Sequence, residues 1–299
     1  MPAVENSALE RFPPVCISLD DSRYPLLLRE TCGPPPKLYI RGNPDALNRP
    51  QVAIVGSRRA SSAGLRLARD LAGELAQVGL QTCSGLALGI DGAAHEGALI
   101  AREQTVAVMA TGIDRVYPKR HTDLAQRICV QGCLVTEFPP ETPPRRENFP
   151  QRNRIISGLS MGVVVVEAAL ASGSLITARL ALEQGREVFA LPWSPLHGGG
   201  AGCLQLLRDG AKLVTSIEDI LEELGPLYAL ASDNRSGATL VASSEKGPQG
   251  LLQYLGFEAL SLDDIVRASG LAVSEVMAGL TQLEMDKRVV RVASGYMKA

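Results

Sequence analysis

Between residues 51 and 190 the sequence repeats one pattern that few folds satisfy. Six short strand-type runs, Val52–Val55, Leu80–Cys83, Thr105–Met109, Leu134–Thr136, Val163–Val166 and Val188–Ala190, are separated by stretches long enough for helices. The runs lack the sustained apolar–polar alternation of a half-solvated strand, as expected of strands buried on both faces. The intervening segments AGLRLARDLAGELAQVG (63–79) and DLAQRICVQG (123–132) carry apolar residues at helical spacing. The pattern predicts a doubly wound α/β domain, a mainly parallel sheet with helices on both faces.

The rest of the chain divides around that body. Residues 1–48 are Pro-rich, with one strand-like stretch, KLYIRG (37–42), and read as an N-terminal segment packed on something larger. The α/β domain is expected over 49–225. A polar linker with ASDNRSGA and SSEKGPQG is expected over 226–250, and a second compact unit over 251–299. A net charge of −2 means that any anion-binding surface must be a local patch. The absence of an apolar run of membrane length predicts no membrane span. The opening MPAVENSALERFPP lacks the signal-peptide pattern, so a cytoplasmic location is expected. The six cysteines are scattered. The one close pair, Cys129 and Cys133, has no neighbouring His, so reduced thiols are expected and no metal site.

In an open α/β sheet ligands bind at the carboxyl ends of the strands. After the first strand comes GSRRASSAG (56–64). Gly56 permits a tight turn, the next helix start offers backbone donors, and Arg58 and Arg59 add charge. The motif is not GxGxxG and no acidic residue ends the second strand, so no cofactor is predicted. After the second strand, Gly85 opens the flexible loop SGLALGIDGAAHEGAL (84–99). Its Asp91 and His95 share a helix face, either as an acid–base pair or, the preferred reading, as a cap and a helix hydrogen bond. After Val163–Val166, the residues Ser172, Gly173 and Ser174 precede a helix and, with Thr177, form a second anion cradle. His121 has no nucleophile beside it, and His197, flanked by glycine, is expected to be exposed and is a weak catalytic candidate. Without a Walker lysine, a carboxylate cluster or a Ser-His-Asp signature, binding is favoured over catalysis and no catalytic residue is predicted.

The stretch FPQRNRIISGLS (149–160) sets Arg152 and Arg154 two apart, just before an apolar run. Burying an unpaired charge is very costly, so both are expected to face an anion and not the core. Several donor-rich loops along one edge suit a polyanion better than a single nucleotide.

Taken together, VAIVGSRRAS (52–61), SGLALGIDGAAHEGAL (84–99), ATGIDRVYP (110–118), FPQRNRIISGLS (149–160) and VVVVEAALASGSLITARLALEQGREVFALP (163–192) closely resemble the DprA/Smf family of DNA processing proteins, densely over about 40–220. The resemblance implies an extended Rossmann-like domain that binds single-stranded DNA, forms a homodimer and loads the RecA recombinase during natural transformation, without enzymatic activity. Carried over, the GSR turn supplies Gly56, Ser57 and Arg58, and the FPxRNR segment supplies Phe149, Arg152, Asn153 and Arg154. Ser172 to Thr177 lie at the same edge. Three positions depart from the family pattern: Ala171 replaces a frequent lysine, Trp193 a glycine and Leu204 an asparagine.

Residues 251–299 resemble the winged helix that many family members carry. Three helices are expected, one capped at Ser261-Leu262-Asp263-Asp264 and the next starting at Ala272-Val273-Ser274 and running to Asp286. RVVRV, a turn at Ser294-Gly295 and YMKA would form the wing. The presumed recognition helix, SEVMAGLTQLEMD, holds no Lys or Arg, so protein contact is expected there in preference to duplex reading. Two competing readings remain. One is a nucleotide hydrolase of the phosphoribohydrolase (lysine-decarboxylase-like) type, a family with a PGGxGTxxE motif. Here SGSLITARLALE lacks that glutamate, but Asp91, His95 and Glu167 remain as candidates. The other is a scaffold that acts through the winged helix alone.

Overall fold

The structure is a computed structural model and describes residues 9, 11–233, 261–262, 265–266, 273–285, 289–292 and 295–298. The elements of the larger unit run in the order β1 (Val15–Ser18), α1 (Leu26–Arg29), β2 (Lys37–Gly42), β3 (Gln51–Val55), α2 (Ser62–Gln77), β4 (Gln81–Ser84), α3 (Ile90–Ile100), β5 (Thr105–Val108), α4 (Thr122–Gln131), β6 (Cys133–Thr136), α5 (Asn148–Leu159), β7 (Gly162–Val165), α6 (Gly173–Glu183), β8 (Glu187–Ala190), α7 (Ala201–Arg208), β9 (Lys212–Leu213) and α8 (Ile217–Asp233).

All nine strands form one sheet, in the order β1-β2-β6-β5-β4-β3-β7-β8-β9. Pairing from β6 through β9 is parallel, and β2 joins β6 antiparallel. The six strands expected from sequence are β3 to β8, each within a residue or so of its observed bounds. Alternate residues of β3 explain why they lack polar alternation. Val52 and Ile54 pack with Ala68, Leu71, Ala72 and Leu75 of α2 and with α3. Ala53 and Val55 point the other way, toward Ile155, Ile156 and Leu159 of α5 and Ala178 and Ala181 of α6. On the α2 side, α4 covers Ala107 and Leu134 with Leu124, Ala125 and Ile128. Both faces of β3 are therefore dry, and its apolar residues show no polar alternation because each face meets helices.

The N-terminal segment belongs to this same sheet. β1 pairs with β2, which extends the sheet beyond β6. Buried Tyr24 donates to Pro35 O at 2.8 Å, and Arg186 Nη2 donates to Leu27 O at 2.7 Å, tying the irregular stretch down. At the other end, α8 continues to Asp233, so residues 226–233 are helical and not linker. That stretch, PLYALASD, contains the good helix formers Leu227, Ala229, Leu230 and Ala231, and the polar linker signal begins only at its end. Residues 234–250 of the expected linker lie outside the described residues.

The chain divides into two compact units, residues 1–235 and 236–299. In the second, Val276, Leu280 and Leu283 of α9 (Val273–Met285) recur at helical spacing and form a small core with Ile265 and Val289. β10 (Val289–Val292) and β11 (Gly295–Lys298) pair antiparallel. Part of the expected cap (Asp263, Asp264), Asp286 and turn residue Ser294 lie outside the described residues.

Candidate nucleic-acid interface

Strand order fixes where a site can form. From β3 the sheet grows one way through β4, β5 and β6, and the other way through β7 and β8. The chain after β3 and the chain after β7 therefore diverge, leaving a crevice at the carboxyl edge. A cavity of about 700 Å³ lies there, lined by Gly56–Arg58 from the β3–α2 loop, Ser172–Ser174 and Thr177 at the start of α6, and Phe149, Arg152 and Asn153 of α5.

The β3–α2 turn is tightly constrained. An added Cβ on Gly56 would lie 2.6 Å from Ile90 Cγ1 and 2.8 Å from Glu167 O. Ser57 N donates to Glu167 O at 2.7 Å, and Ile90 N donates to Ser57 O at 3.2 Å. Gly89 has φ of 81° and sits against the Ser57 carbonyl, so a side chain there would suffer both strain and collision. This packing turns Arg58 outward over Phe149, with its guanidinium carbon 5.0 Å from the ring centroid. Tyr117 meets the edge of the same ring at 5.8 Å and 61°. The cavity mouth is thus a cation on an aromatic pair.

The start of α2, expected from sequence to accept a phosphate, already has an anion. Glu167 is buried, and its carboxylate accepts from Ser61 N at 3.1 Å and from Ser61 Oγ at 2.6 Å. Ser61 in turn caps the helix by accepting from Gly64 N at 3.0 Å. His197 Nε2 approaches the same carboxylate at 3.6 Å, and its ring stacks on Trp193 at 4.5 Å. Trp193 Nε1 donates to Val166 O at 2.7 Å, so this departure from the family pattern is a packed wall of the loop.

The start of α6 is different. Ser172 caps it through a 3.3 Å bond from Ser174 N and a 2.7 Å contact between the two hydroxyls. No protein carboxylate is bound there among the described residues, and an added Cβ on Gly173 would meet only open space. Asn153 Nδ2 donates to Gly173 O at 3.5 Å, tying α5 to this cradle.

The two arginines of FPQRNR have opposite environments. Arg152 is only 4% exposed, yet it lines the cavity. Its Nη1 donates to Gly85 O and Val108 O, its Nε has no partner, and no carboxylate lies within ion-pair distance among the described residues. Burial lowers its pKa to about 10, and Asp91 opposes that shift. Asp91 Oδ2 accepts from Gly85 N at 3.1 Å and Ala87 N at 3.3 Å. Burial pushes the Asp91 pKa up, and Arg152, then those two N–H groups, pull it back. Arg154 points elsewhere. It is paired with Glu137 and donates to Gly33 O at 2.8 Å, outside the cavity lining. The expectation that Arg154 faces a ligand anion gives way to a structural tie between α5 and the N-terminal segment. Arg152 likewise departs from the expectation, being buried in the protein while still bordering the cavity.

Of the other predicted positions, Arg59 is exposed and outside the lining, while Gly85 borders a smaller neighbouring cavity that shares Arg58, Tyr117 and Phe149. Tyr117 and Arg146, not among the expected site residues, both line the main cavity. The adjacent Arg145-Arg146 pair in a Pro-rich loop was the available signal. His95 is fully buried, its Nδ1 lies 2.8 Å from Thr105 Oγ1, and burial lowers its pKa to about 3. Among the described residues no group of His, Cys, Asp and Glu side chains could hold a metal.

A doubly wound sheet with a cation- and aromatic-lined cavity at its switch point defines a Rossmann-like protein. The family model described as DNA recombination-mediator protein A matches residues 15–225, and a DprA winged helix domain model matches 238–295. The chain belongs to this family, the DprA/Smf proteins. It is 42% identical over 292 residues to Protein Smf of Escherichia coli (strain K12), covering 94% of this chain and 76% of that protein. The crystal structure of DNA processing protein A from Streptococcus pneumoniae superposes with a TM-score of 0.68 at 44% identity, over 72% of this chain and 75% of the other. A structure of the Helicobacter pylori protein, solved for its single-stranded DNA binding mode, superposes with a TM-score of 0.65 at 31% identity, over 73% and 98%. No helix among the described residues is long and apolar enough to cross a membrane.

Proposed function

We propose that this chain binds single-stranded DNA in the switch-point cavity and, as a cytoplasmic homodimer, loads RecA onto that strand during natural transformation. One observation carries the binding step: Arg152 is a buried cation bordering a cavity, held only by carbonyls, with no carboxylate in ion-pair range among the described residues. Such a charge is costly until an anion meets it. A phosphate in the cavity would supply that anion, and the α6 start would add backbone and hydroxyl donors. The Arg58–Phe149–Tyr117 mouth offers unpaired bases a stacking platform, which duplex DNA cannot use. Few directed base contacts predict little sequence preference.

The activity is binding and not hydrolysis. Each residue that kept the hydrolase reading open has a structural task. Glu167 holds the α2 cap residue Ser61, Asp91 holds the Gly85–Ala87 loop, and His95 is buried against Thr105. The second unit, with no Lys or Arg in α9, serves protein contact. RecA filament growth on single-stranded DNA tests the mediator step. This protein is expected to shorten the nucleation lag at substoichiometric amounts. An unchanged lag, under conditions where the protein is bound to the strand, would contradict it.

A further inference from the structure

The cavity accounts for only part of the carboxyl edge, and its two sides are not alike. Toward β8 the loops carry no Lys or Arg. Residues 166–172 hold only buried Glu167 as a charged group, and residues 191–200 hold only His197 as an ionisable one. Toward β6 the loops carry exposed arginines. The β3–α2 loop presents Arg58 and Arg59, the loop after β5 presents Arg115 and Arg120, and the loop after β6 presents Arg145 and Arg146, all exposed. Asp114, Glu137, Glu141 and Glu147 oppose them in part, with Asp114 pairing Arg115 at 3.8 Å and Glu137 already paired with Arg154. Because β3, β4, β5 and β6 are parallel neighbours in that order, these loops follow one another along a single edge. The rim is continuous with the cavity. Arg146 and Tyr117 line it, and the smaller cavity beyond Phe149 is bounded by Arg58, Thr111 and Tyr117.

We infer that single-stranded DNA leaves the cavity in one direction only, across Tyr117 and along this arginine rim toward β6. Arg115, Arg120, Arg145 and Arg146 then contact its backbone. This rests on the binding reading above and assigns residues that the family's GSR and FPxRNR motifs do not contain. The chain's net charge is −2, so the rim is a local field and not a general excess of cation. Each backbone phosphate met by an arginine releases counterion, and for single strands each such contact adds about 0.7 to the salt slope.

The test compares the full chain with R115A/R120A/R145A, which spares the cavity-lining Arg146, using oligodeoxynucleotides of ~4 and ~20 nucleotides, lengths that bracket usual single-strand site sizes. A control, R66A/R127A/R179A, removes equal charge from exposed positions elsewhere. The rim variant is expected to bind the longer strand at least ~10-fold more weakly, with a salt slope lower by about 2, while the short strand loses little. Equal losses in rim and control variants, or an unchanged affinity and slope on the longer strand, would overturn the track. Failure of the unaltered chain to bind either length would instead sink the binding reading itself.

Discussion

Arg152→Met is expected to abolish most single-strand binding and to cost about 3 kcal/mol of folding stability, the scale on which breaking a buried charge interaction is felt. Two effects combine. The Gly85 and Val108 carbonyls lose their shared donor, and each buried group left unpaired costs about 1–3 kcal/mol. Asp91 also loses the cation that most offsets its burial. The binding loss is expected to exceed ~10-fold, or about 1.4 kcal/mol, at any base composition. A second substitution separates the two. Asp91→Asn removes the uncompensated carboxylate yet leaves an oxygen to accept from Gly85 N and Ala87 N. Arg152→Met/Asp91→Asn is therefore expected to recover part of the stability, read by urea unfolding, and none of the affinity. Recovery of both would make Arg152 a purely structural residue.

Phe149→Ala is the second large effect. The ring is half-buried, carries the Arg58 guanidinium on one face and meets Tyr117 at its edge. Its removal leaves Arg58 without a platform, worth about 0.5–1 kcal/mol at an exposed site. It also removes a stacking surface for a base, worth about 1–3 kcal/mol. Single-strand affinity should fall by roughly 10- to 100-fold with little change in salt slope, because no phosphate contact is lost. Phe149→Leu, which keeps the apolar bulk without the π-face, should fall between wild type and alanine. Phe149→Tyr should bind as wild type does. A drop in salt slope equal to that of an arginine substitution would show that Phe149 acts by positioning charge and not by stacking.

The parallel strands were legible because burial on both faces removes polar alternation, as Val52–Val55 and Val163–Val166 show on opposite sides of the switch point. Strand β1, VCIS, was not legible. Four residues with two of them exposed carry too little pattern, and the strand exists because β2 offers it an edge. The fate of the two arginines depended on the period of the segment that holds them. In an extended chain residues two apart share a face, whereas on a helix they lie about 200° apart around the axis. FPQRNR lies in helix α5, so Arg152 borders the cavity and Arg154 meets Glu137. Pro150 does not break that helix because it sits in the first turn, where its missing N–H is not needed. The occupied start of α2 was hidden for another reason: Ser61 and Glu167 lie far apart in sequence, and only the β3–β7 pairing brings their loops together. Tyr117 depends on the same kind of long-range contact, since its partner Phe149 comes from another crossover.

The most direct test of the account is a fluorescence-anisotropy titration of the full chain with single-stranded oligodeoxynucleotides, against a duplex of the same length, over a salt series. Tighter binding to the single strand, little dependence on base sequence and affinity that falls steeply with salt are expected. Absence of single-strand binding at low salt, or equal affinity for the duplex, would contradict a cavity built to receive phosphate and stack unpaired bases.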